Sequence, residues 1–278
     1  PGVEQVTGNR YVRAFALGDA RGVITINTAG GTARSPLTRI PLSVQLDKLE
    51  HLPEVVRRAR HVLDADAPIA LITEHLAQDR VLRPALARLP GVRSPGAWDP
   101  FEIAVRAILG QQVSVRAAST LASRIVTAHG EPLPAALAEA SGLARLFPSR
   151  EALEHADLTQ HGVVRARARA INGLAAAAQD PTLFDTSRGL EAFVDRLVAL
   201  PGIGRWTAQY IAMRAAGEPD AFPEGDLGLV RSYQRLASRE VTLRELTQIA
   251  ERWRPWRAYA AMLLWLDEAA VSGTHKGG

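Results

Sequence analysis

The chain has 278 residues, 47% apolar and 22% charged, the composition of a folded globular protein with room for about two domains and a substantial core. It contains no cysteine, which excludes disulfide scaffolds, thiolate zinc sites, iron–sulfur clusters and cysteine nucleophiles and fits a reducing, cytoplasmic compartment. The net charge of +4 lies wholly in residues 1–93, with 13 basic and 9 acidic side chains, while residues 94–278 carry 20 of each, so a polyanion site has to come from local geometry.

Residues 1–46 read as short strands. Tyr11 to Leu17 is one, and Gly22 to Thr28 (GVITINT) alternates apolar and polar side chains. Gly18-Asp19 and Arg21-Gly22 bracket the turn between them. Gly30-Gly31 punctuates the next, and Leu37 to Leu46 is a third extended stretch whose Pro36 and Pro41 suit a sheet edge. After Leu46 the period becomes helical, with Val55, Val56, Ala59, Val62 and Leu63 on one face and Arg57, Arg58 and Arg60 opposite. Leu71 to Leu76 and Val81 to Leu89 are further short helices, Pro90-Gly91 ends the region, and Val92 to Ala97 reads as a linker. These features predict an α+β domain over residues 1–93 and an all-helical region over 94–278.

Asp99 suits an N-cap and Pro100 the first position of a helix carrying Phe101, Val105 and Ile108. Gly110 interrupts that helix, with Gln111-Gln112 at the break, and Ser114 to Ala128 is the next, closed by Gly130. Helices follow over 149–156, 164–178, 190–200, 206–215, 227–236, 242–253 and 255–271. Thr242 and Glu245 form a capping box, and Pro255 suits a first helical position. No internal repeat is present, no apolar run approaches the ~20 residues that span a bilayer, and no signal-peptide pattern opens the chain. The start, Pro1-Gly2-Val3 without Met, predicts a truncated N-terminus.

Five segments can carry chemistry. Leu200-Pro201-Gly202-Ile203-Gly204 lies between two amphipathic helices. Its glycines let backbone approach a ligand, and the free amides of the next helix make an anion site suited to a phosphodiester. A plain helix connection explains the same residues equally well. Glu218 to Leu229 (EPDAFPEGDLGL) is a loop ending in Asp226 where a helix begins. That carboxylate is an N-cap by default; the helix dipole and amides also favour its charged form, which could steady a developing cation or orient a water. Aromatic residues are only 5% of the chain, yet Trp206 and Tyr210 share a helix face just after the glycine turn, and Trp253, Trp256, Tyr259 and Trp265 crowd the C-terminal end. Core packing and a stacking pocket for a flat ligand both account for them. Gly110 to Ser114 is either a solvated connection or an exposed amide reaching a groove. Arg165, Arg167 and Arg169 alternate by two, so they spread over more than one helix face. The seven His residues show no HxxxH or HExxH spacing, and no GxGxxG after a strand, P-loop or GxSxG is present.

The combination of helix–LPGIG–helix, a downstream loop ending in Asp226 and the AILGQQVS break resembles the helix-hairpin-helix DNA glycosylase superfamily. DPFEIAVRAILGQQVSV (99–115), LPGIGRWTAQYIAMR (200–214), RWRPWRAYAAMLLW (252–265) and RYVRAFALGDARGVITI (10–26) look like the AlkA-type 3-methyladenine DNA glycosylase II branch, over nearly the whole chain. The resemblance implies two helical lobes around a cleft, with double-stranded DNA carrying an alkylated base as partner and no cofactor. The enzyme would bend the duplex, flip one purine out and hydrolyse its N-glycosidic bond. Asp226 matches the catalytic aspartate. Trp206 stands where bifunctional relatives carry a nucleophilic lysine, which implies a monofunctional enzyme without strand cleavage. Trp206, Tyr210, Trp265 and Leu227 match base-pocket positions, Leu227 replacing a tyrosine. Gln112 matches the wedge that fills the gap left by the flipped base, where the type enzyme has leucine. Gly202, Ile203, Gly204 and Arg205 match the backbone-binding hairpin, and the carbonyls of Val198, Leu200 and Ile203 match a monovalent cation site. The family's N-terminal aromatic segment is missing before Pro1, and the start looks like the glycosylase half of a longer polypeptide fused to a regulatory alkylation-response module. The expected molecule is a monomer that acts at the bacterial nucleoid and binds no membrane. Two rival readings are a non-catalytic hairpin module that only holds DNA and a glycosylase for deaminated or oxidised bases.

Overall fold

The computed structural model describes residues 2–29 and 39–274, with side chains as far as Val271. Gly30-Gly31, Pro36, the start of the stretch from Leu37, and His275 lie outside the described residues. Four strands, β1 (Glu4–Thr7), β2 (Arg10–Leu17), β3 (Ala20–Asn27) and β4 (Leu42–Leu46), form an antiparallel sheet in chain order. Gly18-Asp19 makes the turn between β2 and β3, whose register pairs Leu17 with Ala20 and Arg10 with Asn27. Pro41 stands just ahead of edge strand β4, where its carbonyl accepts from Asn27 N–H. β1 was not foreseen. Its sequence, EQVT, is polar because it is the opposite edge strand and mostly exposed.

The helices are α1 (Leu52–Val62), α2 (Ile69–Leu76), α3 (Arg83–Arg88), α4 (Pro100–Leu109), α5 (Val115–His129), α6 (Ala135–Ser141), α7 (Arg150–Glu154), α8 (Arg165–Ala177), α9 (Leu190–Val198), α10 (Arg205–Ile211), α11 (Leu227–Ala237), α12 (Leu243–Ala250) and α13 (Arg257–Thr274). The caps follow the sequence: Asp99 Oδ1 accepts from Glu102 N–H at 2.9 Å, Ser114 from Ala117 N–H, and Thr242 with Glu245 closes a reciprocal box. α6, which no motif singled out in the sequence, follows Pro134 and ends at a left-handed Gly142. Two expectations are corrected. The helix expected over 206–215 leaves α-geometry after Ile211 for a π-helical turn, Ala212–Ala216. Pro255 precedes the start of α13 at Arg257 rather than opening it. No helix among the described residues is long and apolar enough to cross a membrane.

Contacts divide the chain into two compact units. The first takes the described parts of Pro1–Arg58 with Ala104–Pro181 and Leu200–Gly202. In it Val12, Ala14 and Val23 of the sheet pack on Leu133, Leu143 and Leu146 around α6, with Leu137 and Ala138 against them. Each fully buried valine or leucine among them contributes about 1.5–3 kcal/mol. Glu4 joins β1 to its neighbours: it accepts from the Tyr11 hydroxyl at 2.8 Å and from the buried Arg13 at 2.9 Å, and pairs with Arg106 of α4 at 3.2 Å. Burial pushes the Glu4 carboxyl up, but Arg13, Arg106 and the Tyr11 hydroxyl together hold it below its ordinary value of 4.5. The stabilisation is therefore complete above pH ~4.5 and is lost as pH falls through the lower folded-state value. Thermal melts should show Glu4→Gln less stable than wild type by about 1–3 kcal/mol at pH 7. The gap should shrink progressively below pH ~4.5; a gap independent of pH would remove Glu4 from this role.

The second unit takes Ala59–Ile103, Thr182–Ala199 and the described part of Ile203–Gly278. α11 packs on α13 about a buried carboxylate, Asp267, which pairs with Arg88 of α3 and Arg235 of α11 and accepts from Ser232. Trp253 is core: it meets Phe222 and Tyr233 at 6.1 and 5.8 Å, and its indole N–H donates to Asp79 at 2.9 Å.

Candidate functional site

α9 and α10 are joined by Ala199 to Gly204. Gly202 has φ +86°, a left-handed conformation that glycine alone adopts without cost, and a Cβ there would lie 2.6 Å from Ala170 Cβ of α8. Ile203 is buried and pins the turn. Gly204 caps α10 with no side-chain hydrogen bond, so the first amides of α10 keep their donors. A Cβ on Gly204 would meet nothing, so the fold itself does not demand glycine there. Open space in front of uncapped amides is the geometry for an anion approaching from outside. Arg205 donates to Glu191 at 2.7 Å and lies 4.0 Å from Glu224, so its charge is already matched within the protein.

The break between α4 and α5 presents Gln112 exposed and with φ +53°, unusual for a residue with a side chain. Gln111 faces the other way: its amide donates to Gly202 O at 3.0 Å, and its carbonyl accepts from Arg167. The turn bearing Gln112 is thus tied to the glycine turn through Gln111. Sequence reading missed this role for Gln111 and Arg167. No sequence signal marks it: the trio is arginine throughout, and only the fold leaves Arg167 half-buried while Arg165 and Arg169 are exposed.

Asp226 is both a cap and more than a cap. Its Oδ1 accepts from Leu229 N–H at 2.9 Å, as an N-cap of α11 should. The indole N–H of Trp265 donates to Oδ1, and that of Trp206 to Oδ2, each at 3.1 Å. Trp206 stacks on Tyr210, with centroids 5.5 Å apart and planes within 4°, and Tyr210 meets Trp265 edge-on at 6.2 Å. Elements far apart in sequence (α10, the start of α11 and α13) therefore bring two indole N–H groups to one carboxylate, with the Tyr210 ring against both indoles. Of the C-terminal aromatic group only Trp265 reaches it. Trp253 is in the core, and Trp256 pairs edge-on with Tyr259, which hydrogen-bonds Asp64. Leu227 is 61% exposed and lies on the surface at the start of α11.

Gly228 was not foreseen as a site residue, although GDLG flags it. A Cβ on it would stand 3.0 Å from Asp226 Oδ1 and 3.6 Å from Trp265 Cδ1. Gly228→Ala should fold normally, alanine being the better helix former. It should still displace the carboxylate by a few tenths of an ångström and slow any reaction that depends on it by about tenfold. Unchanged single-turnover rates in this variant would mean the carboxylate position is not critical. Among the described residues no group of three or more His, Cys, Asp or Glu gathers as a metal site.

A family model for the AlkA N-terminal domain matches residues 1–99, and one for the HhH-GPD superfamily base excision DNA repair protein matches residues 105–256. The chain is 40% identical over 270 residues to a probable bifunctional transcriptional activator/DNA repair enzyme AlkA of Mycobacterium tuberculosis, covering 95% of this chain and 51% of that protein. It thus spans about half the length of this relative. It is 34% identical to DNA-3-methyladenine glycosylase 2 of Escherichia coli, over 96% of this chain and 88% of that one. Among solved structures, a 3-methyladenine DNA glycosylase from Archaeoglobus fulgidus matches with TM-score 0.82 at 25% identity, over 98% of this chain and 91% of that one. An 8-oxoguanine glycosylase/lyase from Clostridium acetobutylicum, in complex with double-stranded DNA, shares the fold at TM-score 0.73 and 16% identity, over 99% and 89% of the two chains.

Proposed function

The chain belongs to the HhH-GPD superfamily of base excision DNA repair proteins, and on that premise we propose that it is a monofunctional DNA glycosylase that releases alkylated purines from duplex DNA. The observation that carries this reading is the Asp226 carboxylate, held by two indole N–H groups and one helix amide beside the Trp206–Tyr210 stack. The amides of the glycine turn bind phosphate, and Gln112 fills the space left by the flipped nucleotide. Flipping costs a few kcal/mol and least at a damaged pair. The C1′–N bond then breaks with its electron pair leaving on the base, and positive charge builds on the sugar. A carboxylate ~4 Å away stabilises that charge by about 4 kcal/mol at an effective dielectric of 20. Water adds to C1′ and its proton leaves, so the products are free base and an abasic sugar. The three donors on Asp226 fix which lone pairs face the sugar, as preorganisation requires.

Trp206 offers no amine, so no Schiff base forms and the strand stays intact. The backbone carbonyls of Val198, Leu200 and Ile203 are hard oxygen donors suited to a monovalent cation, and we include that site in the proposal. The protein would act in the cytoplasm, on the nucleoid. The test is incubation with duplex DNA carrying one alkylated purine, followed by assay of free base and of strand length with and without alkali. Base release with strand breaks only after alkali is expected. Breaks without alkali would overturn the Trp206 argument.

A further inference from the structure

Two histidines that the glycosylase reading does not use bring their ring nitrogens together. His129 is the last residue of α5, and His161 ends the short helical turn Leu158–His161 ahead of α8. Their Nε2 atoms stand 3.1 Å apart, with ring centroids at 5.0 Å and planes at 80°. Both residues are half-buried, so the pair stays within reach of solvent. Neither Nδ1 meets a protein group among the described residues. Each ring can therefore carry its proton on Nδ1, toward water, and keep the Nε2 lone pair free.

A hydrogen bond and a shared metal ion both suit a 3.1 Å separation. Two imidazole nitrogens at ~2.0–2.1 Å from one ion stand about 3.3 Å apart in tetrahedral geometry and about 2.9 Å apart in square-planar geometry. The ring directions separate the two cases. Rings pointing straight at each other, as a hydrogen bond prefers, would have centroids about 5.4 Å apart. The observed 5.0 Å means that the rings are tilted off the line between the nitrogens, as two ligands of one ion are. Burial first, and His161 second, lower the His129 value below the ordinary 6.5, which favours the neutral ring that a metal needs. No carboxylate completes the set. Asp157, on the same turn as His161, has its oxygens engaged by Thr159 and Gln160. Arg124 donates to the His161 backbone carbonyl at 3.4 Å, and its charge, which opposes a cation, is exposed and screened. Two nitrogen donors suit borderline transition metals and not Mg2+ or Ca2+, which take oxygen.

We propose that His129 and His161 form a two-nitrogen chelate for one divalent transition-metal ion of the Cu2+, Ni2+ and Zn2+ class, with water in the remaining positions. The ion would tie the end of α5 to the turn that leads into α8. Arg167 of α8 already reaches back to Gln111, just ahead of α5. Both ends of α5 would then be fastened to one segment of chain. The site is independent of the glycosylase reading.

The test is calorimetric titration of chelator-treated protein at pH ~7.5, where imidazole is neutral, with Cu2+, Ni2+, Zn2+ and Mg2+ in turn. One ion per chain is expected, with Cu2+ tightest and Mg2+ giving no binding. His129→Asn and His161→Asn should each weaken Ni2+ binding at least about tenfold. Ni2+ should also raise the Tm of wild type but not of either variant. His155→Asn, at a histidine 87% exposed and outside the pair, should bind as wild type does. Should an Asn variant fail a thermal-melt check, the Gln variant at the same position is read in its place. Wild type that binds neither Cu2+ nor Ni2+ would overturn the proposal and leave the pair a hydrogen bond. Undiminished binding in either single variant would also overturn it, because the ion would then be held elsewhere.

Discussion

Asp226→Asn is expected to fold, bind duplex DNA as wild type does, and release an alkylated purine at least about 10²-fold more slowly in a single turnover. Asparagine is as good an N-cap as aspartate, so the bond from Leu229 N–H survives and α11 keeps its start. The change removes the negative charge that balances the sugar cation. It also disturbs the cradle. Oδ1 receives Leu229 and Trp265, whereas Oδ2 receives Trp206. An amide has only one oxygen, so one indole N–H would face an NH2 group and lose its acceptor. Asp226→Glu separates the two effects: it restores charge, but its longer side chain cannot reach the same three donors, so only partial recovery is expected. Full activity in Asp226→Asn would remove the aspartate from the chemistry and favour the reading of a module that only holds DNA.

The second large effect is expected at Gly202. Alanine there would take a left-handed conformation at a cost of about 1–2 kcal/mol. Its Cβ would also stand 2.6 Å from Ala170 Cβ, an overlap worth about a further 1–3 kcal/mol in displaced packing. Gly202→Ala should therefore lower Tm by several degrees, roughly 2–4 °C per kcal/mol. It should also weaken DNA binding at least about tenfold, because phosphate contacts at a hairpin depend on amide direction. Gly204→Ala is the control. Its Cβ meets nothing inside the protein, so stability should change by no more than about 1 kcal/mol. Its affinity for DNA should nevertheless fall, since the methyl group occupies the space a phosphate needs. Wild-type affinity in Gly204→Ala would mean that no anion approaches this turn closely.

Much of the site could be read from the sequence because its parts are locally specified. The glycine turn announces itself through two glycines and a proline between amphipathic helices, and Asp226 through its place between a loop and a helix. What the sequence could not supply is partnership at long separation. Nothing local distinguishes Trp265, which donates to Asp226, from Trp253, which donates to Asp79 in the core. Both are tryptophans on apolar helical patterns, and only the packing of α10, α11 and α13 decides between them. Gln111 and Gln112 are likewise identical in type; a single left-handed residue turns one toward Gly202 and the other to solvent. β1 was invisible because an exposed edge strand has no apolar alternation to read. Arg205, which resembles a phosphate contact in sequence, is held by Glu191. That agrees with a DNA grip built on amides more than on bulk charge, in a region where acidic and basic side chains balance.

The most direct test of the central claim is the time course of free base appearing from a duplex with a single 7-methylguanine, with protein in excess. First-order release well above the spontaneous rate is expected, one base per duplex, leaving an intact strand with an abasic site. Tight binding of the same duplex with release no faster than the spontaneous rate would contradict it.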